Sequence, residues 1–201
     1  MPYSDFTLKR VKKDLCIELI EDKGIFSEIK PINPSDILMK NLEENVPLAL
    51  AINTEKARSE LIISTVLVEI KRSLKKEVSF FSGIEFNVDK EKGLVGYCDF
   101  ILSASPEQLI LSAPVVTIVE AKNENIIGGM GQCIAEMVAA QIFNKQEGNE
   151  LKTIYGVVTS GNIWRFLKIE QQTVHIDLQD YYIEKIDKIL GILMAMIKQL
   201  I

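Results

Sequence analysis

The run Val116-Thr-Ile-Val-Glu-Ala-Lys122 is β-branched and apolar except for two charges set two residues apart, and Gly128-Gly129-Met130-Gly131 follows it. A short continuous apolar run of this kind reads as a strand buried inside a sheet, over about 114–121. Side chains alternate across a strand, so Ile118, Glu120 and Lys122 share one face and Val119 and Ala121 the other. A chain that buries this strand must therefore hold a carboxylate and an ammonium together near its C-terminal end. That end is where crevices open in sheets with helices on their faces.

Around this strand the hydrophobic periods predict a layered order. Ser35 is placed to cap a helix through about Glu44, within a first fifty residues broken at Pro31, Pro34 and Pro47. After Thr54 the residues Ile63, Leu67, Ile70 and Leu74 recur at helical steps, and the stripe extended back one turn ends on Glu60. Strands are expected at about 78–88 and 94–103 before the central one. After it come a helix through about Asn144, strands near 153–159, 163–169 and 173–178, and a last helix over about 181–200. The expected fold class is α/β, a central mixed β-sheet flanked by helices. Residues 1–50 read as a covering segment and 51–201 as the main domain of one compact unit.

Composition narrows the function. The chain has 201 residues and a formal net charge of -5, which argues against nonspecific polyanion binding through a surplus of Lys and Arg. Any contact with nucleic acid must be local or assisted by a metal. Three cysteines without C-x-x-C spacing suggest neither a disulfide framework nor a thiolate zinc site, so the expected compartment is the cytoplasm. No stretch reaches the roughly 18 uncharged apolar residues of a membrane span, so no membrane partner is expected. His175 is the only histidine, so a metal site in this chain must rest on carboxylates.

Acid-x-Lys occurs five times, but only Glu120/Lys122 ends a continuous apolar strand and follows a strand with an acid of its own, Asp99. Adjacent strands joined by a short connection set Asp99 and Glu120 side by side. Two carboxylates held close repel one another and are costly to desolvate, and a divalent cation resolves both difficulties. Hard oxygen ligands favour Mg2+ or Mn2+, with the carbonyl of Ala121 as a further ligand. Such a cation polarises a phosphodiester and activates a water, which Lys122 would help orient. The alternative is a structural ion network at a strand end.

Acid on one strand, Glu-x-Lys on the next and a helix bearing Gln132 together resemble the PD-(D/E)XK nuclease superfamily, the restriction-endonuclease-like fold. The resemblance spans residues 54–159, about half the chain. It implies a magnesium-dependent deoxyribonuclease with DNA as partner, Asp99 and Glu120 as metal ligands and Lys122 as the catalytic lysine. Glu60 stands where many members carry a helix glutamate that aids metal binding, and Gln132 where some carry a glutamine near the site. Cys98 replaces the proline of the motif, and Glu136 stands where some branches have a tyrosine. The rival expectation is a nuclease-like module that binds or regulates without catalysis, and a third keeps the metal site but acts on RNA or nucleotides.

Other features carry less. Gly128-Gly129-Met130-Gly131 matches no nucleotide-binding loop and reads as a turn that joins strand to helix or lets backbone approach a substrate. Gln132 also fits a helix-capping or solvent-facing role. Lys71, Arg72, Lys75 and Lys76 end one helix, as a helix dipole favours, and Lys9, Arg10, Lys12 and Lys13 form a second basic cluster. Trp164 and Phe166 alternate with Arg165, which predicts buried rings and a solvated or paired arginine. The last helix is apolar nearly all round, which a homodimer or a larger core would each explain.

Overall fold

The computed structural model describes residues 2–75 and 77–198. Met1, Lys76 and residues 199–201, which include the end of the expected terminal helix, lie outside them. The described strands form one mixed sheet: β1 (Glu18–Asp22), β2 (Ser79–Glu85), β3 (Tyr97–Ser103), β4 (Val115–Ala121), β5 (Thr153–Thr159), β6 (Ile163–Glu170), β7 (Thr173–Asp177) and β8 (Tyr181–Tyr182). Their order is β1-β7-β6-β5-β4-β3-β2, with β8 paired to β6. Pairs β4/β5 and β1/β7 are parallel and the others antiparallel. Every residue of β4 is buried, as its apolar run requires of a central strand.

Helices cover both faces. On one lies α5 (Ile126–Gln146), with α1 (Leu8–Asp14) against it. The other carries α2 (Asp36–Ile52), α3 (Glu55–Arg58), a π-helical segment over Ser59–Ile63, α4 (Ser64–Leu74) and α6 (Ile186–Lys198). The strand periodicity separates two apolar clusters accordingly. Val119, Ala121, Phe100 and Val157 join the α2, α4 and α6 side. Ile118, Ile101 and Val158 join the α5 side.

The boundaries differ from expectation where a local rule was overridden. Ser35 does cap α2, its Oγ accepting from Leu38 N at 3.2 Å, but the helix continues through Pro47 to Ile52 and ends on Asn53 in the left-handed region. The glycines after β4 lie inside α5, which starts at Ile126 behind an Asn125 cap, Oδ1 to Gly128 N at 2.8 Å. They serve close packing: a Cβ on Gly131 would stand 2.4 Å from Phe6 O. Helix α5 is also long and apolar enough to cross a bilayer, with most of that stretch buried in the protein.

The apolar α6 is enclosed largely by its own chain. Residues of the 24–32 stretch lie over it, Ile32 N donating to Asp187 O at 2.9 Å and Lys188 Nζ to Ser27 O at 2.7 Å. Gly191 passes so close that a Cβ there would lie 2.2 Å from Lys30 O. Trp164 and Phe166 are fully buried, and Arg165 Nε bonds Asp180 at 2.9 Å.

Candidate functional site

The antiparallel ladder between β3 and β4 has its last pair at Phe100 and Val119. Beyond it the strands fork, and the Asp99 side chain fills the fork: its Oδ2 accepts from Ala121 N at 2.8 Å. On the other side β4 stays joined to β5, Lys122 N donating to Thr159 O at 2.8 Å. Glu120 is 1 % exposed and turns toward α5, and Lys122 Nζ bonds its Oε1. Lys122 reaches this position across Gly129, where a Cβ would lie 2.8 Å from Lys122 Cγ and 2.9 Å from Val158 Cγ1. The glycine thus makes room for Lys122 and Val158 rather than serving a turn.

A cleft of about 270 Å3 opens on the other side of the fork. Asp99 and Ala121 form its floor, Ser82 and Gly83 of β2 one wall, and Glu55, Lys56, Ser59 and Glu60 the other. Gly83 has φ +61° and open space above it, so β2 leaves the cleft uncrowded. Glu60 reaches the rim through the π segment. Straight α periodicity would put it on the buried stripe, but the wide turn bonds Ser64 N to Ser59 O and moves burial from Ile62 and Ile63 back to Ala57 and Arg58, five residues earlier. The side chain of Glu60 is 61 % exposed and pairs with Lys56 at 3.0 Å.

Charge balance is the main electrostatic fact. Burial raises the Asp99 carboxyl above its ordinary value, against the pull of the Ala121 N–H and Lys122. Burial, and then the adjacent Asp99, push Glu120 up to about 8, with Lys122 pulling back. Burial works to lower the Lys122 ammonium, but Glu120, Glu55 and Asp99 outweigh it and raise it, so it stays charged. A third acid sits behind: Glu136 of α5, fully buried, is raised far above the carboxylate range by burial and by Glu120. One ammonium thus acts on Asp99, Glu120 and Glu136, the last two held toward the neutral acid by burial.

Asp99 and Ala121 therefore share the cleft with Glu60 at its rim, while Glu120 and Lys122 lie on the α5 side of the fork. Gln132 lies on α5, half-buried, and donates from Nε2 to Glu136 Oε1 at 3.1 Å. Sequence reading missed Glu55, whose charge acts on both Glu120 and Lys122, and gave no role to Glu136. Glu55 carried one usable signal, its place just after the helix-capping Thr54.

The residues fit a hard divalent cation in one respect: Glu120 Oε2 is a buried acceptor with no donor. Among the described residues no three His, Cys, Asp or Glu side chains converge on a common point suited to a metal. Magnesium is commonly held by one or two carboxylates, with water and substrate phosphate completing its shell, so two suffice.

A larger groove of about 1020 Å3 lies at the opposite end of the sheet, among Gln141, Lys145, Thr153 and His175. Its acids are met locally: Glu150 by Lys145 at 3.8 Å and Glu170 by Lys168 at 2.8 Å. Each basic cluster has a member engaged within its own helix. Lys71 Nζ closes its helix on Lys75 O at 2.7 Å, and Arg10 pairs with Asp14 at 3.0 Å. Comparison of the chain with protein-family models and with curated proteins gave no match.

Proposed function

We propose that the chain is a magnesium- or manganese-dependent deoxyribonuclease of restriction-endonuclease-like fold. One observation carries the reading: Asp99 forms the floor of an open cleft at a strand fork, and Glu120, buried on the other side of that fork, holds the ammonium of Lys122. Burial holds Glu120 toward its neutral acid with Oε2 left without a donor, a state that a divalent cation bound there would relieve. The order α4, β2, β3, β4, α5, β5 along the chain supports the fold assignment.

Asp99, Glu120 and the Ala121 carbonyl would hold the cation, which supplies Lewis-acid polarisation of the phosphodiester and a water of lowered pKa. Lys122 donates hydrogen bonds from its ammonium, orienting the water and offsetting charge that develops on the phosphate oxygens. Glu60, paired with Lys56 at the rim, would add a carboxylate on the solvent side. DNA would enter past Ser82 and Gly83, where β2 presents little side-chain bulk.

The test is Mg2+ and Mn2+ calorimetry together with plasmid nicking. Asp99→Ala and Glu120→Ala should each abolish binding, and Lys122→Ala should keep binding while nicking falls on the order of 10²-fold or more. A wild type that neither binds metal nor nicks DNA refutes the reading. The second reading, a non-catalytic binding module, is favoured by the Lys122–Glu120 contact and by the acids at the rim, Glu55 and Glu60, which repel a phosphate backbone.

A further inference from the structure

Glu136 is used by nothing in the reaction proposed above, yet the chain buries it completely. Its Oε1 has a single bond, from Gln132, and its Oε2 is a buried acceptor with no donor. A fully buried carboxyl so incompletely bonded is destabilising relative to an apolar residue of similar size. Packing alone therefore gives no reason for it.

Its place on α5 does. Gly129, Gln132, Cys133 and Glu136 recur at three- and four-residue steps and so share one face of the helix. That face lies on β4 and β5: Gly129 abuts Lys122 and Val158, and Cys133 Sγ reaches Val157 O at 3.8 Å. The charges of Glu120, Asp99 and Lys122 all act on Glu136. Gln132 stands one turn nearer the helix start, half-buried, and no hydrogen bond to its Oε1 is found among the described residues.

We propose that Glu136 is a positioning residue, which anchors the Gln132 carboxamide so that its oxygen stays on the Lys122 side of the helix, available to accept from Lys122 or from the attacking water. This rests on the nuclease reading. Glu136 touches neither metal nor substrate and acts through Gln132.

The experiment combines two readouts. In magnesium-dependent DNA cleavage, Glu136→Met should lower kcat roughly tenfold with KM little changed, as for other residues that orient a metal-site neighbour. Glu136→Gln, which keeps an acceptor and the shape, should restore most of it. The Glu136→Met/Gln132→Ala double variant should fall no further than either single variant, because both remove the same oriented carboxamide. Multiplicative losses, or Glu136→Gln as impaired as Glu136→Met, overturn the proposal. Should Glu136→Met fail to fold, Gln132→Ala alone must show the same loss in kcat, and full activity overturns the proposal.

The second readout needs neither metal nor DNA: the Gln132 side-chain amide protons, followed by NMR, should exchange slowly in the wild type and in Glu136→Gln. Cleavage accompanied by fast Gln132 exchange overturns the positioning and leaves the nuclease reading intact. Slow exchange in a wild type that cleaves nothing supports the anchoring and places the failure in the nuclease reading.

Discussion

At the scale of single residues, the acids around Lys122 make stability depend on pH in an unusual direction. Glu120 keeps its proton in the folded protein up to about 8, whereas its ordinary value is 4.5. Between those values the folded state binds a proton that the unfolded chain has released, so stability falls as pH rises, by about 1.4 kcal/mol per pH unit and per group. The contribution is complete below 4.5 and is lost as pH rises through 8. Glu136 and Asp99, both raised, act in the same sense. Urea unfolding of the metal-free protein at pH 5, 6, 7 and 8 should give a descending series, and Glu120→Gln should flatten it; an ascending series would show that these carboxyls are ionised in the folded state. The sequence exposed Glu120 and Lys122 because strand alternation fixes which side chains share a face. It could not expose Glu136, since which turn of α5 lies behind Glu120 depends on how closely Gly129 and Gly156 let the helix approach the sheet.

At the scale of elements, α5 is fixed to the sheet at both ends by different means. Near its start the contact is steric, through Gly129 and Gly131. Near its end Asn144, 1 % exposed, pairs with the backbone of Val115: Oδ1 accepts from Val115 N at 2.7 Å and Nδ2 donates to Val115 O at 2.8 Å. These bonds sit at the bulge where the β3/β4 register shifts, so they replace ladder bonds that β4 cannot make there. Asn144→Leu removes both partners and leaves a buried N–H and C=O unpaired, a cost of roughly 2–4 kcal/mol. Chemical denaturation should show that loss, while Asn144→Asp, which keeps the acceptor, should lose less at a pH where the acid is neutral. A variant as stable as wild type would mean that β4 finds other partners. Helix and strand identities were legible in the hydrophobic periods, yet the π turn at Ser59–Ile63 was not. It changes the spacing of buried residues from four to five in a stretch where Arg58 is one of them, its guanidinium bonding Ser160 O, Asn162 Oδ1 and Asn53 Oδ1. A buried arginine is invisible to a search for apolar periodicity, and this is why the stripe extrapolated to Glu60 left the core.

At the scale of the whole molecule, the first fifty residues both enter the sheet, through β1, and lie over its faces, through α1 and α2. β1 is an edge strand, parallel to β7 through Glu18–Thr173 to Asp22–Asp177, and α2 runs across residue 50. The pin is Asp177, fully buried, which accepts from Gly24 N at 2.7 Å, Gln179 N at 2.9 Å and Tyr181 Oη at 3.0 Å. These bonds set the start of the stretch that passes over α6, whose Ile189, Ile192, Leu193 and Met196 are then closed from water. Removing the carboxylate strands several donors at once, so Asp177→Ala should lose roughly 3–5 kcal/mol, comparable to breaking a buried polar network. The local consequence separates this account from a general loss of stability. Limited proteolysis should cut first within residues 23–34, and a dye that binds apolar surface should respond before the sheet melts. Because the fork of β3 and β4 is far along the sheet from β1, amide exchange at Asp99 and Ala121 should stay slow while the stretch over α6 opens. Simultaneous opening of both would make the sheet and its cover a single cooperative unit and would deny Asp177 a separate role.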